Sequence, residues 1–118
     1  MERDLVFDSV TINALSSALD GLAARQRAIA NNIANVNTSG YQAQRVSFEE
    51  ALAASVKNGS GVVAPTTRLS MDPTQLNGNN VNIDTETLSN IDTVLRFQFA
   101  ASAMTAQFSG VRAAIGGA

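Results

Sequence analysis

The stretch INALSSALDGLAARQRAIANNIANV, residues 12–36, spaces its large apolar side chains alternately three and four residues apart, with Gln26 in the one polar slot. This spacing places the apolar side chains on one stripe of a helix and is typical of a helix that packs lengthwise against another. We therefore expect an N-terminal helix over residues 9–38, capped by Ser9 or Thr11 and stopped by Gly40. The predicted stripe consists of Ile12, Leu15, Leu19, Leu22, Ile29, Ile33 and Val36.

A second stripe with the same alternating spacing lies near the C-terminus. It predicts a helix over residues 85–115 that starts near Asp84 or Thr85, because carboxylates favour the first turn of a helix. Its members are Val94, Phe97, Ala101, Met104, Phe108, Val111 and Ile115.

The connector between the helices, residues 39–84, carries turn-forming residues such as Pro65, Pro73 and the pair Asn77-Gly78. It is expected to be extended and partly irregular, with a short helix over residues 47–56 capped by Ser47. The predicted fold is all-α. Two long terminal helices pack as a coiled-coil-like hairpin within a single domain, residues 1–118.

Composition narrows the possible functions. The chain has 118 residues, a net charge of −2, and no His or Cys. The usual zinc sites and Ser-His or Cys-His nucleophile pairs are thereby excluded, and no basic patch is present to bind nucleic acid. We expect no enzymatic activity, no cofactor, no metal and no small-molecule substrate. The remaining candidate carboxylates are expected to be solvated: Glu49, Glu50, Asp84 and Glu86.

The predicted outer faces of both helices are small and uncharged where a lone hairpin should be charged. Residues 28–44 and 97–111 contain no charged residue. Alanine is a good helix former, which explains part of the pattern, but glycine inside a helix costs about 1 kcal/mol. We therefore expect packing on more than one side, with Gly21 and Ala28 on one helix and Ala103 and Gly110 on the other contacting neighbouring subunits.

The end of the first helix carries a cluster of asparagines, Asn31, Asn32, Asn35 and Asn37. Because the amide group has both donors and an acceptor, two interpretations are open. The asparagines either cap the helix and form the turn after it, or form an uncharged contact surface for neighbouring backbones.

Residues 30–41, ANNIANVNTSGY, resemble the N-terminal signature of the bacterial flagellar rod and hook family. Residues 78–86, GNNVNIDTE, resemble the element that precedes the C-terminal helix of that family. One departure is Ser39, where the family usually has proline, so the end of the helix should be less sharply defined. The motif residues are Ala30, Asn31, Asn32, Ile33, Ala34, Asn35, Thr38, Gly40, Tyr41, Gly78, Asn79, Val81, Asp84 and Glu86.

The resemblance, together with the short chain, implies a structural subunit of the proximal rod. Such a subunit polymerises through its terminal helices to form part of the drive shaft and the wall of the export channel. The implied partners are other copies of the chain, other rod proteins, the basal-body adaptor and export-gate proteins. The implied location is the periplasm-spanning rod, reached without a cleaved signal peptide. The alternative is a cytoplasmic helical-hairpin chaperone or adaptor of a secretion system, which would need charged outer faces.

Overall fold

Two long helices dominate the chain, which we describe from a computed structural model covering residues 2–116, with side chains described from residue 9 onward. Helix α1 spans Glu2–Ala34 and helix α3 spans Ile83–Gly116, and the described part of the molecule measures 66 × 25 × 14 Å. Asn32 bonds to Glu86, whereas Leu22 shares a cluster with Ala100. The two helices therefore run antiparallel, as the hairpin prediction requires.

The connector is more ordered than predicted, and the fold is not strictly all-α. Strand β1 (Gln44–Ser47) pairs antiparallel with strand β2 (Thr66–Leu69), and helix α2 (Glu49–Lys57) lies between them. The strands escaped prediction because each is only four residues long, which is too short for an alternating pattern to stand out.

Three predicted helix starts are wrong, by seven residues for α1 and by two each for α2 and α3. Helix α1 begins before Ser9 and Thr11, so neither of them caps it. Helix α2 starts after Phe48, which forms no side-chain cap bond, and Ser47 belongs to strand β1. Helix α3 is capped by Asn82 rather than by Asp84 or Thr85: its Oδ1 accepts hydrogen bonds from the backbone N–H groups of both, at 3.0 and 3.2 Å. Asparagine is a strong N-cap residue.

The core joins both long helices to the connector. Its buried members are Leu22, Ala28, Val46, Phe48 and Ala100. In α1 the predicted stripe lies at or near this core: Leu22 and Ile29 are buried, and Ile12, Leu15, Leu19 and Val36 are half-buried. Ile33 is at the margin, 36% exposed.

In α3 the buried stripe is centred about one residue away from the predicted one. Glu86, Thr93 and Ala100, seven residues apart, are its buried members. Of the predicted residues, Val94, Phe97, Ala101, Met104 and Val111 are half-buried, whereas Phe108 and Ile115 are exposed. Hydrophobicity alone missed Thr93, because its hydroxyl donates to the Ser89 carbonyl at 2.7 Å and so stays satisfied when buried.

The back of α1, which is the predicted outer face opposite its apolar stripe, is covered by the connector of the same chain. The Phe48 ring lies so close to Gly21 that an added Cβ would come within 2.4 Å of its Cδ1 atom. Farther along, the Ser17 hydroxyl donates to the Gly61 carbonyl at 2.8 Å and accepts from Val63 N at 3.1 Å. The expectation that Gly21 and Ala28 contact neighbouring subunits is therefore wrong, since both are buried within this chain.

The back of α3 is bare by contrast. Gly110 has no atom within 4 Å of where a Cβ would lie, and Phe99 is 79% exposed. None of the helices within the described residues 2–116 combines the length and apolar character needed to cross a membrane.

Candidate functional site

The two sequence motifs meet at one end of the hairpin, where α1 ends and α3 begins. Asn32, fully buried, is at the centre of the junction. Its Nδ2 donates to the Gln44 carbonyl at 3.0 Å and to Glu86 Oε2 at 3.1 Å. Its Oδ1 accepts from Gln44 N at 2.8 Å and from the Tyr41 hydroxyl at 3.2 Å. One side chain thus holds together α1, β1 and α3.

Glu86 brings a fully buried charge to the junction. Its Oε1 accepts a 2.6 Å hydrogen bond from Arg45 Nη1, and its Oε2 accepts the bond from Asn32. The prediction that Glu86 is a solvated carboxylate is therefore wrong. Its partner Arg45 was missed because the pair is 41 residues apart in the chain and is brought together only by the tertiary structure. A buried carboxylate that lost this partner would be strongly destabilising.

Tyr41 completes the ring of contacts around Asn32. Burial, and then the nearby Glu86 carboxylate, raise the pKa of Tyr41 above its ordinary value of 10.0. The phenol therefore keeps its proton at neutral pH and donates to Asn32 Oδ1.

Asn79, from the second motif, binds the turn that follows α1. Its Nδ2 donates to the carbonyls of Asn35 and Thr38, both at 2.8 Å. Its Oδ1 accepts from Val81 N at 2.8 Å. Asn79 thus ties the turn that follows α1 to a segment 41 to 44 residues farther along the chain.

Asn80, which was not singled out in the sequence, supports the connector. Its Oδ1 accepts from Ala43 N at 2.7 Å, and its Nδ2 donates to the carbonyls of Ser70 and Asp72 at 3.1 and 3.2 Å. A side chain with both acceptor and donors can bridge two backbone segments in this way. The adjacent Asn79 and Asn80 therefore bind different segments: Asn79 binds the turn after α1, and Asn80 binds the connector. The motif pattern alone does not distinguish these two roles.

The pattern of the family described as "Flagella basal body rod protein" matches residues 12–42, which end just after the first motif. The chain is also 33% identical over 116 residues to the flagellar basal body rod protein FlgB of Escherichia coli (strain K12), an alignment that covers 80% of this chain and 84% of that protein. The chain belongs to the family of flagellar basal body rod proteins. The FlgB of Bacillus subtilis (strain 168) is 27% identical over 123 residues, covering 92% of this chain and 95% of that protein.

This rod protein is accordingly a structural subunit, and it functions with other components of the flagellar basal body. The signature motifs of its family place some of their residues inside the subunit. The residues that they bury are Asn32, Asn79, Asn80, Val81 and Glu86. Gly40 and Gly78 approach one another where the two motif turns touch, and Gly40 N donates to the Asn77 carbonyl at 2.8 Å.

The remaining motif residues are on or near the surface. The asparagine cluster is divided between roles: Asn32 is a buried bridge, and Asn35 caps locally through a 2.8 Å bond to the Asn31 carbonyl. Asn31 and Asn37 are exposed and remain candidates for subunit contacts. The other exposed members of the motifs are Ala30, Ile33, Ala34, Thr38, Gly40 and Asp84.

A second cluster attaches the connector to α1. Arg25 donates to both carboxylate oxygens of Glu49 at 2.7 Å and to the Val46 carbonyl at 2.8 Å, and its guanidinium lies 5.0 Å from the centre of the Phe48 ring. Hydrogen bonds from Arg25 hold the pKa of Glu49 at about 2. Among residues 9–116 no group of side chains is arranged to hold a metal ion.

Proposed function

We propose that this rod subunit polymerises through the outer stripe of α3, while its connector closes off the back of α1. The supporting observation is the exposure of large apolar side chains along the first half of the stripe: Leu88 is 69%, Leu95 61% and Phe99 79% exposed. Monomeric proteins rarely expose a contiguous apolar patch of this kind, and such a patch marks an interface.

The second half of the stripe continues with small uncharged residues, which permit close approach of a neighbouring helix. The whole stripe, with steps of three and four residues, comprises Leu88, Ile91, Leu95, Phe99, Ser102, Ala106, Ser109 and Ala113. With Gly21 and Ala28 buried inside the chain, neighbouring subunits are proposed to contact α3, with Ala103 and Gly110 among the contacting residues.

The partners proposed for this stripe are other copies of the chain and other rod proteins, with the basal-body adaptor and export-gate proteins at the inner end of the rod. The subunit is proposed to reach the periplasm-spanning rod through the flagellar export apparatus and to form part of the channel wall. It has no proposed catalytic activity, metal or cofactor. Family membership does not favour the helical-hairpin chaperone.

The test places a charge in the stripe with Leu95→Asp. On the exposed side chain of the isolated subunit this change costs within about 0.5 kcal/mol. In a rod it buries an unpaired carboxylate, which costs several kcal/mol. The isolated variant should keep its circular dichroism spectrum and thermal midpoint, while cells that produce it should lack rods and motility.

Ala53→Asp is the matched control, because it places the same charge at an exposed helical position on α2. It should assemble normally. Working rods built from Leu95→Asp subunits would show that the stripe faces solvent and would overturn the proposal.

A further inference from the structure

The connector presents two apolar side chains to solvent on a single loop, residues 70–78. Met71 is 97% exposed and Leu76 is fully exposed. Neither contributes to the core, and a loop that served only to connect would be expected to carry polar residues at these positions. Two large apolar side chains exposed within six residues of one loop make the loop a candidate interaction site.

The backbone of this loop is held firmly although its side chains project. At one end Ser70 N donates to the Ala43 carbonyl at 2.7 Å, and the Ser70 carbonyl accepts from Asn80. At the other end Gln75 N donates to the Asn79 carbonyl at 2.8 Å. A loop already fixed in one conformation loses little conformational entropy on binding. The loop is therefore preorganised for contact.

The loop also carries a single charge, Asp72. Its carboxylate is 67% exposed and lies 3.8 Å from Arg45, which forms its closer bond to Glu86. A loop that carries an exposed carboxylate and two exposed apolar side chains is complementary to a surface that joins an apolar side chain with an exposed cation.

Such a surface is present on α3 of the same chain. Phe108, 51% exposed, and Arg112, also exposed, are four residues apart and so lie one turn apart on one ridge. Arg112 is the single charged residue of α3 beyond Arg96. Within the side chains described for residues 9–116 it forms no ion pair.

We propose that the loop of one copy docks on the Phe108–Arg112 ridge of a second copy, with Met71 and Leu76 against Phe108 and Asp72 paired with Arg112. The proposal rests on the proposed function as a rod subunit and names the contact between like copies. Phe108 is about 38 Å along the helix from Ile83, next to the loop, at 1.5 Å per residue. The loop and ridge of one copy are thus too far apart to meet, so the contact is heterologous and repeats from copy to copy.

Cysteine cross-linking tests the contact directly, because the natural chain has no cysteine. The double variant Leu76→Cys/Phe108→Cys, produced as the full chain in cells, should give a ladder of disulfide-linked multimers in isolated basal bodies after mild oxidation. Each single variant, and the control Val62→Cys/Phe108→Cys, should give no ladder. Basal bodies that contain the double variant without a ladder would overturn the proposal. Absence of even the natural chain from basal bodies would instead contradict the proposed function.

Charge reversal tests the ion pair without cysteines. Arg112→Asp should reduce incorporation into basal bodies at least tenfold while leaving the thermal midpoint of the isolated chain unchanged. Adding Asp72→Arg to that variant should restore most of the incorporation, whereas adding Arg68→Asp should not. A double variant no better than Arg112→Asp alone would contradict the pairing.

Discussion

The backs of α1 and α3 have the same character in sequence and opposite surroundings in the structure. Each carries small residues and a glycine on the face opposite its predicted apolar stripe, Gly21 on α1 and Gly110 on α3. Gly21 is covered by the Phe48 ring, whereas Gly110 faces open space. Small side chains therefore indicate that something packs closely on a helix, but not whether it belongs to the same chain or to a neighbour.

The strongest test of this contrast removes an aromatic ring from each side. Phe48→Ala should destabilise the isolated chain by about 3–4 kcal/mol, because it leaves a cavity over α1 and removes the contact with Arg25. Phe99→Ala should change stability by no more than about 0.5 kcal/mol, because the ring is exposed. Urea unfolding followed by circular dichroism measures both changes. Equal losses would mean that Phe99 is covered within the isolated chain and that the contrast is wrong.

Alanine at the two glycines should give changes of opposite sign. Gly21→Ala forces the buried Phe48 ring to move and should cost about 2 kcal/mol, as overpacking does. Gly110→Ala meets no neighbouring atom and should stabilise the isolated chain by up to about 1 kcal/mol, through helix propensity. The thermal midpoints of the two variants should therefore move in opposite directions from that of the natural chain. A rise for both would show that the Phe48 contact is loose.

The sequence predicted the parts of the fold that depend on the regular spacing of apolar residues. The antiparallel pair of long helices follows from alternating apolar positions, and that part of the fold is confirmed. The sequence also pointed to Asn32, Asn79 and Glu86 through their motifs, although it placed Glu86 in solvent. A hydrophobicity pattern predicts that a carboxylate is exposed. Glu86 is buried because it pairs with Arg45 of strand β1, and no local sequence pattern reveals that pair.

What the sequence could not predict was the path of the connector. Strands β1 and β2 are short, and their pairing depends on contacts between distant segments, such as Ala43 with Asn80. The same lack of information led to the wrong partner for Gly21. The residues of a helix face indicate that another segment packs on it, but tertiary contacts determine which segment that is.

Acid should weaken the attachment of the connector to α1 before it affects the exposed outer face of α3. Arg25 holds the pKa of Glu49 at about 2, below its ordinary value of 4.5. A lowered pKa contributes stability that is fully present above pH 4.5 and is lost as the pH falls toward 2. Because the Glu49 side chain is 43% exposed, solvent screening reduces this contribution to about 1 kcal/mol.

The pH test compares the natural chain with Glu49→Gln. At pH 7 the variant should be less stable by about 1 kcal/mol, and the difference should shrink toward zero between pH 4.5 and 2.5. Glu50→Gln, at the adjacent exposed position, should show no such convergence. A gap for Glu49→Gln that stays constant over this range would show that the ion pair does not hold the connector on α1.

The smallest expected effect is at the turn where the chain leaves α1 and enters the connector. Tyr41 N donates to the Thr38 carbonyl at 3.2 Å across Ser39 and Gly40, and Gly40 has a φ of 76°. A left-handed glycine at the third position is typical of a type II turn, which favours proline at the second position, held here by Ser39. Ser39→Pro should therefore stabilise the isolated chain by about 0.5 kcal/mol, chiefly by restricting the unfolded chain. Ser47→Pro, inside strand β1, is the contrasting control and should destabilise it. A lower thermal midpoint for Ser39→Pro would mean that the backbone at Ser39 differs from that of a type II turn, and that this chain leaves α1 along a path that proline cannot follow.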